Sequence, residues 1–151
     1  MNLRYIKAKK DDADLLIEIY NASFYDDYIK YGECPAYGRT RENMEESIEK
    51  FPKLIIYCDD IPIGAISVEN RGNGEYYLGC LCVIPSYQGK SIGTQVVRFM
   101  LDYYSDWNTV RLVTPEDKVE NINFYTKKCG FRLDGSELDG CVRVVRFLME
   151  R

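Results

Sequence analysis

Residues 3–8 alternate apolar and polar side chains, the two-residue period of a strand with one covered face. Asp11 and Asp14 then supply helix-starting acids ahead of Leu15, Leu16, Ile19 and Tyr20, so the strand gives way to a helix. Residues 24–38 mix tyrosines, acids and turn formers with no clean period, which predicts an elaborated loop. The stretch 40–50 is strongly charged. Within it Met44 and Ile48, followed by Phe51, sit at helical spacing, and Pro52 closes that helix before the apolar run 54–57. Asp59 and Asp60 turn the chain into a strand over 63–68, and the reversal Arg71-Gly72-Asn73-Gly74 sends it back along 75–84. Three antiparallel strands in a meander are expected.

After Pro85 the period changes. Ile92, Val96, Met100 and Tyr104 recur every four residues with Gly93, Val97 and Leu101 beside them, the apolar stripe of a helix. Residues 109–114 form the next strand, and a helix from about 118 to 128 is stopped by Gly130. Two last strands, 131–133 and 141–149, flank the turn Asp139-Gly140. No repeat or linker interrupts this order, so the expectation is one α/β (α+β) domain over residues 1–151, with a mixed sheet of about seven strands and about four helices.

Composition narrows the chemistry. A chain of 151 residues buries roughly 68–70% of its unfolded surface, and 46% apolar with 29% charged residues excludes wholesale disorder and collagen-like architecture. The net charge of -4 has the wrong sign for a general phosphate-backbone binder, so no nucleic-acid partner is expected. Histidine is absent, which removes the Ser-His and Cys-His triads. No disulfide framework is required of the six cysteines. The close pair Cys80-x-Cys82 shares one side of a strand but lacks zinc spacing, so packing rather than metal binding is expected of it. The N-terminal stretch lacks a signal-type apolar block and no run approaches the ~20 residues a bilayer requires, so a cytoplasmic protein without a membrane partner is expected.

The informative stretch is residues 83–94, Val-Ile-Pro-Ser-Tyr-Gln-Gly-Lys-Ser-Ile-Gly-Thr, a strand that ends in a glycine-bearing turn and becomes a helix. Helix N-termini leave several amides unpaired and positive, so this junction suits a pyrophosphate. Gly89-Lys90-Ser91 invites a nucleotide P-loop reading, but that motif needs a glycine where Ile84 stands.

Here the chain resembles the GNAT superfamily of acyl-CoA N-acyltransferases, whose pyrophosphate loop follows Gln/Arg-x-x-Gly-x-Gly/Ala after a strand. Gln88-Gly89-Lys90-Ser91-Ile92-Gly93 fits it, with Ser91 in place of a glycine. Further agreement comes from Leu81-Cys82-Val83-Ile84-Pro85 before the loop and from Asn121 and Phe124-Tyr125 ahead of Cys129-Gly130-Phe131. The resemblance covers most of residues 3–149. It implies a GNAT-like, mostly antiparallel sheet, opened where a β-bulge parts the strand 75–84 from the strand 109–114. Acetyl-CoA would be the acyl donor, with no metal: backbone groups of Leu81, Cys82 and Val83 would pair with its pantetheine arm. The amides of Gln88, Gly89, Lys90, Ser91, Ile92, Gly93 and Thr94 would hold its pyrophosphate, and Asn121 would contact it through its amide.

The implied reaction is direct attack of a primary amine on the thioester in a ternary complex. Tyr125 is the candidate general acid, although it lies five residues before Gly130 where family members keep four, and Thr126 holds the usual place. Two readings stay open: a π-bulge absorbs the extra residue, or Tyr125 points into the core and the thiolate leaves without it. Tyr77 matches the position of a glutamate base in several members, so Glu75 is the next candidate base and Glu69 a third. The acceptor site is expected from loop 24–38 and turn 134–140. Their acids Asp26, Asp27, Glu33, Asp134, Glu137 and Asp139, and the aromatic Tyr25, Tyr28, Tyr31 and Tyr37, would favour a cationic amine. A catalytically idle acyl-CoA-binding sensor is the alternative reading, and pairing of two copies through C-terminal strands, as in many relatives, would make a homodimer.

Overall fold

The structure is a computed structural model that describes residues 2–151. Strands β1 (Leu3–Lys7), β2 (Lys53–Cys58), β3 (Ile61–Gly72), β4 (Glu75–Val83), β5 (Thr109–Pro115), β6 (Arg132–Asp139) and β7 (Val142–Glu150) hydrogen-bond in the order β1-β2-β3-β4-β5-β7-β6. β4 and β5 are parallel, whereas β1–β2, β2–β3, β5–β7 and β6–β7 are antiparallel. The sheet is therefore mixed and mostly antiparallel. Four α-helices accompany it: α1 (Ala13–Tyr31), α2 (Arg41–Lys50), α3 (Ile92–Tyr103) and α4 (Val119–Asn123). No helix among the described residues is long and apolar enough to cross a membrane. The chain condenses into two compact units, one built from residues up to 68 with 80–93, the other from 69–79 with 94–151.

In the first unit, Ala13, Leu16, Ile19 and Tyr20 of α1 fall at three- and four-residue steps and bury one face of that helix. They pack with Met44 and Ile48 of α2 and with Ile55, Ala65 and Cys82 of the sheet. Thr40 starts α2 by accepting from the Asn43 N–H at 3.1 Å, satisfying one of the unpaired amides of its first turn. Contrary to the sequence expectation, residues 24–31 are the last two turns of α1 and not loop. The helix stops at Gly32, whose φ of +74° lets its N–H reach Tyr28 O at 2.9 Å. Tyr28 then stacks on Tyr37 at 4.5 Å between ring centroids, and Gly38 N–H donates to Asn21 Oδ1 at 2.9 Å. Tyrosines and acids thus mingle along these turns of the helix, and no apolar stripe marked them in the sequence.

In the second unit, β5 buries Val110, Leu112 and Thr114 at alternate positions, and Val144, Phe147 and Leu148 of β7 are buried as well. The reversal between β3 and β4 is a two-residue turn, Asn73 at φ +55° and Gly74 at +78°, a pair of left-handed residues of the kind hairpins favour. The predicted helix 118–128 is divided into α4 and a π turn over Phe124–Lys128. β6 also departs from expectation, because residues 134–139 continue as strand where a turn is predicted. Its register against β7 slips between Leu133 and Ser136, with Gly135 at φ +93° and Arg146 Nε donating to Asp134 O at 2.9 Å. All but one of its residues are exposed, so no alternating apolar pattern marked it.

Candidate active site

The end of β4 sets the first part of the site. Ile84 N–H donates to Ile63 O of β3 at 2.8 Å, and the Cys82 carbonyl lies against Gly64 of β3. Because backbone groups alternate in direction along a strand, the N–H and C=O of Leu81 and Val83 point to the edge away from β3. Of the three residues expected to offer backbone groups, Cys82 faces its neighbour strand and two face outward. Gly64 permits this approach: a Cβ there would stand 2.2 Å from Cys82 O. Sequence reading missed it, although a glycine inside the apolar run of residues 61–68 is a signal for close backbone approach.

A short 3-10 turn, Pro85–Tyr87, carries the chain into residues 88–91, which are exposed. Gln88 spends its side chain on Val83 O, from Nε2 at 2.8 Å, and its own N–H on Pro85 O at 3.2 Å. The loop is thereby pinned to the strand that precedes it. Among the described residues the N–H groups of Gly89 and Lys90 have no backbone acceptor. Ile92, Gly93 and Thr94 open α3, where helix geometry leaves amides without intrahelical partners. Gly89 has φ +76°, and a Cβ added to it would meet nothing within 4 Å, so the space in front of it is open. Lys90 Nζ lies 5.5 Å from the Tyr87 ring centroid. This set fits a diphosphate: main-chain donors, the positive end of a helix, one ammonium group and no acid between 83 and 94.

Ser91 has φ +62°, in the left-handed region. That explains why a glycine suits this position, and it leaves the serine with backbone strain of about 1 kcal/mol or less. Ser91→Gly should therefore be neutral to stabilising by roughly that amount in thermal unfolding, while retaining coenzyme A affinity.

The remaining candidates lie in the second unit. Asn121 is the third residue of α4 and donates from Nδ2 to Thr114 Oγ1 at 3.1 Å, so it is not a helix cap. Tyr125 sits in the π turn, where Cys129 N–H reaches back to Phe124 O at 3.1 Å and Phe131 N–H to Tyr125 O at 2.9 Å. Both features weighed for this residue occur together: the π turn absorbs one residue, and the ring is buried against Phe124, Phe131 and Phe147, with centroids at 4.9, 5.8 and 5.5 Å. Glu75 Oε1 accepts from Arg111 Nε at 3.3 Å, and the same guanidinium reaches Asp134 Oδ2 at 3.1 Å. Glu69 pairs with Arg71 at 3.4 Å, and that guanidinium also lies 4.2 Å from the Tyr77 ring. Burial raises the Tyr77 phenol above its ordinary value, which makes it a poor base at neutral pH.

The acids expected to draw a cationic acceptor are distributed differently from the sequence reading. Asp26 and Asp27 ride on α1, Asp134 is engaged by Arg111, and Glu137 and Asp139 are exposed on β6.

A family model described as the acetyltransferase (GNAT) family matches residues 14–131. No curated protein matches the sequence significantly. An acetyltransferase from Thermus thermophilus superposes with a TM-score of 0.82 at 15% identity, covering 100% of this chain and 98% of that one. The PaiA N-acetyltransferase of Thermoplasma acidophilum, solved with coenzyme A, gives 0.71 at 20% identity over 97% and 98%. Aminoglycoside acetyltransferase AAC(6')-Ib, also with coenzyme A, gives 0.77 at 17% identity over 99% and 95%. At these identities the neighbours show a shared fold.

Proposed function

The chain belongs to the GNAT acetyltransferase family, and on that premise we propose that it is an N-acetyltransferase that moves an acetyl group from acetyl-CoA to a primary amine of a small molecule or peptide. The observation that carries this reading is the exposed turn at residues 88–91, with the Gly89 and Lys90 N–H groups lacking a backbone acceptor among the described residues, leading into the N-terminus of α3 shortly after a strand end with outward-facing backbone. Acetyl-CoA supplies the activated acyl group as a thioester. Leu81 and Val83 pair with its pantetheine amides as an added strand would, and the loop amides with Lys90 hold its pyrophosphate. The Val83 N–H donates to the thioester carbonyl oxygen as negative charge develops there. Tyr125 gives a proton to the departing sulfur. Glu75 takes one from the amine, through water, once its carboxylate loosens from Arg111. The amide of Asn121 steadies the bound donor.

That ion pair is also the observation favouring the other reading, a non-catalytic acyl-CoA sensor, because a carboxylate engaged by a guanidinium is not free to face the amine. A single assay separates the two: thermal unfolding with acetyl-CoA, followed by thiol release against amino acids, aminoglycosides, polyamines and peptides. Stabilisation with steady thiol release from at least one amine is the expected result. Stabilisation without release from any of them makes the protein a sensor, and no stabilisation at all overturns both.

A further inference from the structure

On the first unit's sheet face, beneath α1, lie two cations that the proposed reaction has not used. Lys53, the first residue of β2, is only 4% exposed, and its one hydrogen bond runs from Nζ to Ser67 Oγ at 3.2 Å. An ammonium group carries three donors, so two protons remain without an acceptor among the described residues. Its ring neighbour is Phe51, at 6.0 Å. Arg39, half-buried just before α2, holds its guanidinium 5.8 Å from the Tyr20 ring and donates from Nε to Pro35 O at 3.1 Å. Neither cation has a carboxylate partner among the described residues, and each lies within charge–charge range of the other. The Tyr20 hydroxyl, on a residue 1% exposed, faces the Cys80 thiol without completing a full hydrogen bond. Cys80 is separated by one residue from Cys82 and directly precedes Leu81, whose backbone is assigned above to the acyl donor.

A buried ammonium, a half-buried guanidinium and an unsatisfied hydroxyl, with no anion, form a costly arrangement unless a guest supplies the missing charge. We propose that Lys53, Arg39, Ser67 and Tyr20 form an acceptor subsite for an anionic group, carboxylate or phosphate, so that the amine acceptor is a zwitterion such as an amino acid and not a polyamine. This rests on the N-acetyltransferase reading and names its acceptor class. Arg39 provides a planar fork and Lys53 a point charge, donors suited to either oxyanion. Cys80 lies beside the site and is the group best placed to replace the guest. Hydrogen bonding from Cys82 and the charge of the two cations lower its thiol pKa, against the burial that raises it.

The acceptor panel is run in matched sets: an amino acid, its carboxamide, and aminoethyl phosphate. The acid or the phosphate ester should exceed the carboxamide in kcat/KM about tenfold to a hundredfold, and the better of the two identifies the anion. Lys53→Met should collapse that ratio. A binding readout independent of turnover is calorimetry with N-acetyl amino acids against their neutral N-acetyl amides, wild type against Lys53→Met and Arg39→Gln, with circular dichroism confirming that each variant folds. Burial lowers the Lys53 ammonium to about 8, so anion affinity should fall as pH climbs through that value. Cys80 and Cys82 of β4, Ser67 of β3, Tyr20 of α1 and Arg39 all face this group, and a Cys80 thiolate would act in the same direction. Equal binding of acid and amide overturns the inference. So does thiolate absorbance from Cys80 at pH 7, which would mean the cations are neutralised internally. If thiol release proceeds with the carboxamide as well as with the acid, the acetyltransferase reading stands without this subsite. If N-acetyl amino acids bind through Lys53 while acetyl-CoA does not bind, the subsite stands and the reading fails.

Discussion

Tyr125→Phe should lower acetyl transfer about 100-fold, the lower end of what a positioned general acid contributes, because a thiolate is already a fair leaving group. The ring stays where it is. Its contacts with Phe124, Phe131 and Phe147 are made by carbon atoms, and phenylalanine retains them. Stability should therefore change by no more than about 1 kcal/mol, the typical net worth of one hydrogen bond. Coenzyme A affinity should also hold, since the amides at residues 89–94 belong to a different part of the chain. Steady-state kinetics beside a binding titration would check this, and an unchanged kcat would remove Tyr125 from the chemistry and leave it a packing residue. Thr126 at the place relatives give to the tyrosine offers no substitute, as its hydroxyl donates to Ile122 O at 2.7 Å.

Gly64→Ala should damage the first unit severely for a single added methyl group. Its Cβ would meet Cys82 O at 2.2 Å, Cys82 C at 3.2 Å and Val83 Cα at 3.3 Å, all backbone atoms that no rotamer change can move aside. Relief requires β4 to shift by about 1 Å to reach an ordinary C···O contact, and the neighbouring Ile84 N–H to Ile63 O bond would strain with it. Overpacking of this kind costs about 1–3 kcal/mol, which for a chain of this size lowers Tm by about 3–10 °C. Coenzyme A affinity should fall along with stability, because Leu81 and Val83 move with the strand. By contrast, an alanine at Gly89 meets nothing within 4 Å and is strained only through its φ of +76°. A Gly64→Ala protein with the parent Tm and coenzyme A affinity would show that the strand end tolerates displacement and that its placement does not matter for the donor.

The sequence by itself determined the parts whose causes are local. The Asn73-Gly74 reversal, the four-residue apolar stripe of α3, and the loop from Gln88 to Gly93 are each specified by residues within a few positions of one another, through backbone conformation or a fixed period. The family resemblance could be read from the same segments, and the π turn was one of two outcomes that a single displaced tyrosine allowed. Tertiary structure decided the rest. α1 continues to Tyr31 because Tyr28 finds Tyr37 beyond the helix end, and β6 exists because β7 offers it a ladder, not because of its own pattern. Gln88 turns back to Val83 O, Glu75 is claimed by Arg111, and Lys53 meets Ser67. Lys53 and Ser67 are 14 positions apart and Glu75 and Arg111 are 36 apart. The second pairing depends on which strands become neighbours across a parallel crossover, which no period or turn residue near either partner encodes, and the first depends on a hairpin register that the turn at Asp59-Asp60 permits without fixing.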